Sequence, residues 1–130
     1  MGQGDGRYTI GFYVNPWGRS VFEDWVQTLT DEQSEALLGA FEATLGRLGI
    51  AVCGSEFGKQ LGHGLFEFRV RHKALHRFAF RVFCHAWGNR QILLLGGYDK
   101  AADPSPRRQA REIERARSRL REWKHRLTLH

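Results

Sequence analysis

The alternation of apolar and polar residues divides the chain into a helical first part, a strand-rich middle and a terminal helix. Residues 8–14 are rich in β-forming side chains and end at an Asn-Pro pair, which predicts a first strand and a turn. Capping-box spacings begin at Ser20 and Thr30, and apolar residues recur after each at helical intervals. These patterns predict a helical hairpin that ends at Gly49, followed by a loop over residues 51–58.

From Lys59 the pattern changes to a period of two. Residues 65–70 and 77–84 each place apolar side chains on alternate positions, which predicts two half-buried neighbouring strands. Residues 91–95 are almost continuously apolar, as is typical of an inner strand covered on both faces. A Ser-Pro pair at 105–106 opens a long helix with a narrow apolar seam and a wide Arg-rich face.

These elements predict an α/β (α+β) fold, with an antiparallel sheet, an N-terminal helical hairpin and a C-terminal helix. The 130 residues, with four Trp and nine Phe, supply enough apolar area for one core and too little for two. We therefore expect a single domain over residues 1–130, with an ordered core from about 7 to 127. No apolar run approaches the roughly 20 residues of a membrane span, and the Gly-rich start lacks the apolar centre of a signal peptide. A cytoplasmic protein that does not bind membranes is expected.

Charge is divided unevenly along the chain. Residues 1–58 hold three basic and eight acidic side chains, a net charge of −5, whereas residues 59–130 hold 17 basic and six acidic side chains, a net charge of +11. Such an asymmetry attracts polyanions, because each phosphate contact also releases a condensed counterion. A solvated basic helix accounts for part of the excess. The basic part of the chain nevertheless makes RNA the expected partner.

Two arginines are the first candidates for chemistry. Arg69 and Arg81 fall on polar faces of strands predicted to be neighbours, on a sheet face that we expect to be open opposite the helices. Guanidinium groups hold a phosphodiester bidentately and stay charged as negative charge develops on phosphorus. The alternative is ion pairing, for instance between Arg69 and Glu67, and periodicity alone ranks that alternative slightly ahead.

Other basic and aromatic groups surround these arginines in the sequence. Lys59 and His63 precede the first basic strand, where a histidine could transfer protons, although a His between two glycines is more often a solvated turn residue. Tyr98 and Lys100 follow the last strand, where a ring can stack on a base and an ammonium can neutralise phosphate. Tyr98 equally fits packing at the edge of the core. Candidates for contact with an RNA backbone are His72, Lys73, Arg77, Arg107 and Arg108.

Motifs for other chemistries do not occur in the sequence. It has no phosphate-loop spacing, no GxSxG and no Cys/His spacing typical of a metal site, so we predict no metal and no cofactor. Cleavage without a metal would use the RNA 2′-hydroxyl as an internal nucleophile, which favours RNA over DNA. The predicted activity is therefore a metal-independent endoribonuclease acting on mRNA.

Three segments resemble, in order and spacing, the RelE/HigB-like toxins, especially their phage-derived branch. They are residues 59–70 (KQLGHGLFEFRV), 76–83 (HRFAFRVF) and 92–100 (ILLLGGYDK). A Pro-containing link into a helix follows at 104–117, as it does in that family. The resemblance implies an antiparallel sheet flanked by helices, in a single toxin domain.

The resemblance also implies the toxin of a type II toxin–antitoxin pair, an mRNA interferase that inhibits translation on the ribosome and arrests growth. Its partners would be the ribosome, mRNA and a cognate HigA-like helix-turn-helix antitoxin. In the family's pattern, Arg69 and Arg81 would stabilise the phosphate in the transition state. His63 or Lys59 would transfer protons, and Lys100 would orient the RNA.

Two features keep alternatives open. Many phage-type relatives have two lysines and an aromatic residue where this chain has Tyr98-Asp99-Lys100, so Asp99 lowers the local positive charge. The related ParE-type toxins share the fold but act on DNA gyrase. A ParE-like gyrase inhibitor, or a catalytically degenerate homologue acting as a binding protein, is therefore the alternative function.

Overall fold

The computed structural model describes residues 6–71 and 78–129. The first part contains β1 (Thr9–Phe12), α1 (Val21–Val26) and α2 (Asp31–Ala40), which continues through a π-helical segment (Phe41–Leu45), a short α3 (Gly46–Leu48) and a 3-10 helix (Gly49–Gly54). The second part contains β2 (Gly58–Gly62), β3 (Leu65–Arg71), β4 (Ala79–Trp87), β5 (Gln91–Asp99) and α4 (Pro106–Thr128).

The helix starts predicted from the sequence are confirmed. The Ser20 hydroxyl caps α1, Thr30 forms the complete capping box of α2, and Ser105 caps α4. Gly49 ends the first helical stretch with φ of 54°, and a Cβ at this position would lie 2.4 Å from the Tyr8 ring. Only glycine fits there, because the backbone is left-handed and the aromatic ring occupies the side-chain space.

The loop expected over residues 51–58 is wrong for its first half. The chain from Gly49 to Gly54 forms a 3-10 helix, and Val52 within it is completely buried. A 3-10 helix of this length has too few turns to produce a recognisable apolar period, and its position is fixed by packing instead.

The helical stretch Asp31–Gly54 is long and apolar enough to cross a membrane, judged by length and composition alone. The sequence analysis predicted that no apolar run would be long enough to span a membrane. Its buried side chains Leu37, Phe41, Leu45 and Val52 belong to the core cluster on the sheet. We therefore interpret this stretch as a core helix whose apolar face is covered by protein.

The described strands form one sheet in the order β1-β5-β4-β3-β2. Strands β2 to β5 pair antiparallel with their neighbours, as predicted, whereas β1 pairs parallel with β5. The helices between β1 and the rest of the sheet supply the long connection that a parallel pair needs. The α/β fold class is confirmed, with β5 as an inner strand, as predicted, and β1 as the one strand among those described that pairs parallel.

Apolar side chains pack on both faces of this sheet. One face carries the N-terminal helices, with Phe22, Leu37 and Phe41 packed on Phe68 and Phe80. The other face carries α4, whose buried Ala116 and Leu120 join a second cluster that includes Leu65, Phe83 and Leu95. The expectation of an open sheet face opposite the helices is therefore wrong, because the seam of the terminal helix needs an apolar surface to cover it.

A β-bulge in β5 changes the direction in which its last side chains point. Phe83 pairs with Gly96 and Cys84 pairs with Leu94, so Leu95 has no direct partner on β4. Leu93 and Leu95 face α4 before the bulge, and Tyr98 faces α4 after it. Without the extra residue, Tyr98 would point to the opposite face, because side chains alternate along a strand.

Candidate functional site

Three of the predicted site residues form a row across β3, β4 and β5, the three inner strands of the sheet. Arg69 on β3 is paired with Arg81 on β4, and Arg81 is paired in turn with Tyr98 on β5. Directly paired residues point to the same face, so all three side chains lie on the side of the sheet that carries α4. The sequence placed the two arginines on neighbouring strands, and the register makes them direct neighbours.

Glu67 holds the two guanidinium groups of this row. Its side chain is completely buried, and Oε2 lies 2.8 Å from Arg69 Nε and 3.6 Å from Arg81 Nε. Two like charges directly opposite on paired strands repel one another, and a shared carboxylate offsets that repulsion. The ion pair that the sequence left open as the alternative for Arg69 is thus present.

Several polar atoms of this cluster are buried without a hydrogen-bond partner within the described protein. They are Arg81 Nε and Nη1, Glu67 Oε1 and the Tyr98 hydroxyl. Arg81 is only 5% exposed, and burial lowers the pKa of its guanidinium. Burial and the nearby Glu67 carboxylate raise the pKa of Tyr98, so its hydroxyl stays protonated. Within the described residues, the Arg81 and Tyr98 donors are therefore left without acceptors, and Glu67 Oε1 is left without a donor.

The first turns of α4 lie against one end of this row. The Arg108 guanidinium carbon is 5.1 Å from the centre of the Tyr98 ring, and Arg108 Nε donates to Glu112 Oε2 at 2.7 Å. Glu112 is itself buried and also pairs with Arg115. Arg108 was predicted to contact RNA, and in the structure it links α4 to the Tyr98 ring by a cation–π contact.

Arg69 has access to solvent at the end of β3. Its side chain is 25% exposed, and together with Arg71 it lines a cavity of about 200 Å³. Phe57, Phe68 and Glu56 are among the other lining residues. Of the two paired arginines, Arg69 is the one that a phosphate approaching from solvent meets first.

Two predicted lysines lie near the row. Lys59 is exposed on β2 and is paired with Glu67, which places it on the same face. Lys100 directly follows β5, and its amide donates to the Ala79 carbonyl. Asp99, which was expected to reduce the positive charge here, accepts hydrogen bonds from the Ala79 and Ala101 amides. Its carboxylate thus fixes the end of the strand.

His63 is not brought to this row. It occupies the turn between β2 and β3 with φ of 54°, at the opposite end of β3 from Arg69. There it lines a different cavity with residues of the second half of α4. His85, which the sequence reading did not single out, supports this turn, with Nδ1 2.8 Å from the Gly64 carbonyl oxygen.

Three of the residues predicted to contact RNA, His72, Lys73 and Arg77, lie outside the described residues. Arg107 is exposed in the first turn of α4. Within residues 6–71 and 78–129, no group of three or more His, Cys, Asp or Glu side chains is arranged to hold a metal ion.

Other arginines of α4 fasten the helix to the sheet, a role that the sequence reading did not assign. Arg119 donates to the carbonyl of the bulged Leu95 at 2.9 Å, and Arg117 donates to the Gly62 carbonyl at 3.0 Å. Arg126 donates to the Val14 carbonyl and pairs with Glu122. These arginines differ from a solvated basic face because they donate to particular backbone carbonyls, and those partners are distant in the sequence.

A family model matches most of the chain that carries this arrangement. Residues 24–121 match the model of the phage-derived Gp49-like proteins (DUF891). The chain belongs to this family. The Gp49-like family is a RelE/HigB-like toxin family, which confirms the resemblance at the level of the family. Curated proteins give no match.

Membership in the Gp49-like family supports a role within toxin–antitoxin systems and implies an antitoxin partner. The matched residues include β2 to β5, and therefore the whole row from Arg69 to Tyr98 together with Glu67. They also include most of α4. The site described above thus lies within the part of the chain that defines the family.

Proposed function

We propose that this protein is a HigB-type toxin that cleaves mRNA on the ribosome and is neutralised by a HigA-like helix-turn-helix antitoxin. The observation that carries the proposal is the row of Arg69, Arg81 and Tyr98. Its buried guanidinium and hydroxyl donors have no hydrogen-bond partner in the described protein. Arg69 is the partly exposed member of the row, and the positive charge of the two arginines suits the negative charge that develops on a phosphate during transfer.

The proposed reaction needs no metal. The RNA 2′-hydroxyl oxygen attacks the adjacent phosphorus, a bond from O2′ to phosphorus forms, and the bond from phosphorus to the 5′ oxygen breaks. The proton of the 2′-hydroxyl passes to a base, and a proton is delivered to the departing 5′ oxygen. The products are a 2′,3′-cyclic phosphate and a 5′-hydroxyl end.

The two arginines have different parts in this proposal. Arg69 reaches solvent and would hold the phosphate directly with its guanidinium group. Arg81 is buried behind it, and its positive charge would act through an interior that screens weakly. Glu67 would orient both groups, so it is a positioning residue.

Lys59 and Lys100 are the proposed proton-transfer and RNA-orienting groups. Lys59 lies on the same face as the row, because it is paired with Glu67. Lys100 directly follows β5, two residues after Tyr98. His63 lies in the turn before β3, at the far end of that strand from Arg69, so we propose Lys59 rather than His63 for the proton transfer. We also propose that the protein acts in the cytoplasm, where ribosomes and mRNA are found.

Replacement of Arg69 tests the proposed activity. Arg69→Ala should abolish growth arrest on induced expression and lower mRNA cleavage by about 100-fold or more, the usual effect of removing a donor to a developing anion. Arg111→Ala is the matched control, because Arg111 is an exposed arginine on α4 that is not part of the row. Cleavage is measured by mapping new 5′-hydroxyl ends in mRNA. Unchanged cleavage by a folded Arg69→Ala, Arg81→Ala protein would disprove the mechanism.

The ion pair between Arg69 and Glu67, at 2.8 Å, favours the second candidate, a binding protein without catalysis. An arginine committed to a buried carboxylate can be structural only. A gyrase inhibitor would leave mRNA intact and stall DNA replication in cells that express it. A degenerate toxin would leave both intact while still binding the antitoxin.

A further inference from the structure

We propose that a second cavity, between the β2–β3 turn and the second half of α4, binds the backbone of single-stranded RNA. The cavity measures about 390 Å³ and is lined by His63, Arg117, Leu120, Arg121 and Lys124. Its size is at the lower end of the range for small-ligand sites. The RNA assignment rests on the proposed function, whereas the cavity and its charges do not.

The cavity is lined by three cationic side chains and the His63 imidazole, and hydrogen bonds fix the turn that carries His63. Arg117 donates to the Gly62 and Leu61 carbonyls, which fixes the turn that carries His63. Leu120 is buried and forms the apolar floor. Arg117 is thus held at the cavity by hydrogen bonds, and Arg121 and Lys124 add two further positive charges to the lining, which attracts anions.

Among the described residues, those that line the cavity include no carboxylate. Arg121 forms an exposed ion pair with Glu114 at 3.4 Å, in which the two side chains are 66% and 69% accessible. Solvent and salt screen such a pair, so it offsets little of the local positive charge. An incoming phosphate can displace it.

Aromatic rings beside the cavity favour RNA over an acidic protein segment. His85 bonds to the Gly64 carbonyl and contacts Trp123 edge-on, with ring centres 5.7 Å apart. Trp123 contacts Trp87 in the same way at 5.1 Å, and Trp87 is 40% exposed. Cations followed by an exposed aromatic ring match the alternation of phosphate and base in a single strand.

The cavity lies along β3 from the candidate active site. Leu65, at the turn, and Arg69 are four residues apart, which is roughly 13 Å along a strand. RNA bound at both places would therefore span at least this distance over the surface, because the Leu65 and Glu67 side chains along β3 are themselves buried. The cavity would hold one part of the RNA, and the row that contains Arg69 would act on a phosphate further along the same RNA.

The test is RNA binding by the Arg121→Ala, Lys124→Ala variant, with Arg111→Ala as a control that removes one exposed positive charge from the same helix. The probe is a fluorescein-labelled single-stranded RNA of 12 nucleotides with 2′-O-methyl groups, which cannot be cleaved. Binding is followed by fluorescence anisotropy over a range of salt concentrations. The double variant should bind about tenfold or more weakly, and its slope of log affinity against log salt should fall by about 0.7 for each lost phosphate contact.

A Trp87→Ala variant separates the aromatic part of the site from the ionic part. It should weaken binding and leave the salt slope unchanged, because stacking releases no counterions. If the double variant matches the Arg111→Ala control in both affinity and slope, the cavity does not bind RNA. Equal loss of binding to RNA and to polyglutamate would overturn RNA in favour of an acidic protein partner.

The binding experiment and the cleavage experiment test the two proposals separately. The Arg121→Ala, Lys124→Ala variant should raise the mRNA concentration needed for half-maximal cleavage and leave the maximal rate unchanged. Weakened binding by this variant together with no cleavage by the wild type would defeat the proposed function and retain the site. Cleavage that depends on Arg69, together with unchanged binding, would defeat the site and retain the function.

Discussion

Replacing Glu67 with Gln removes the buried negative charge that Arg69 and Arg81 share. The Glu67 side chain has no solvent exposure, and the Arg81 side chain is 6% exposed at 3.6 Å from it. Breaking a buried ion pair costs about 3–5 kcal/mol, because the remaining charge stays buried without compensation. Arg69 is a quarter exposed and can turn towards water, so we expect the lower end, about 3 kcal/mol.

Urea unfolding of the purified protein, followed by circular dichroism, measures this loss. For a domain of this size, about 3 kcal/mol corresponds to a fall of roughly 12 °C in Tm. Glu114→Gln is the control, because Glu114 forms only an exposed pair with Arg121 and should change the free energy of unfolding by less than about 1 kcal/mol.

A second variant separates loss of charge balance from general damage to the core. Glu67→Leu combined with Arg81→Met removes both buried charges, and such replacements are often neutral or stabilising. The double variant should therefore recover most of the stability that Glu67→Gln loses. Our account of the cluster is refuted if Glu67→Gln unfolds at the same urea concentration as the wild type, or if the double variant is less stable than Glu67→Gln.

Three further predictions concern other parts of the fold. Burial and the hydrogen bond to Glu122 raise the pKa of Tyr13 to about 12, so the stability contributed by its protonated form should be lost as pH rises from about 10 through 12; titration of absorbance at 295 nm should show a high-pH step that Tyr13→Phe lacks. Gly97→Ala would place a Cβ 2.5 Å from the Trp25 ring and should cost about 1–3 kcal/mol of unfolding free energy, whereas Gly11→Ala, which meets nothing within 4 Å, should cost less than about 1. Thr30→Ala should cost about 1 kcal/mol in urea unfolding, through loss of the capping box of α2.

Local features were readable from the sequence where the physics is local. A cap at Ser105 followed by Pro106 needs only neighbouring backbone groups, and both are found at the start of α4. The apolar run at residues 91–95 predicted an inner strand covered on both faces, and it is found in β5. The placement of Arg69 and Arg81 on neighbouring strands also followed from alternation along the chain.

The composition of the site depended on contacts between distant parts of the chain. The bulge at Leu95 decides that Tyr98 faces α4, and no local pattern marks where a strand gains an extra residue. Glu67 reads as a polar strand residue, yet the register of β3 and β4 buries it between two arginines.

The sequence by itself thus determined most of the helices and strands, the placement of the two arginines on neighbouring strands and the basic half of the chain. The tertiary structure alone decided that α4 covers the face expected to be open, and that His63 lies in a separate cavity from Arg69. The physical reason is that capping and alternation act between near neighbours in sequence. Burial, register and charge pairing instead depend on which distant residues the fold brings together.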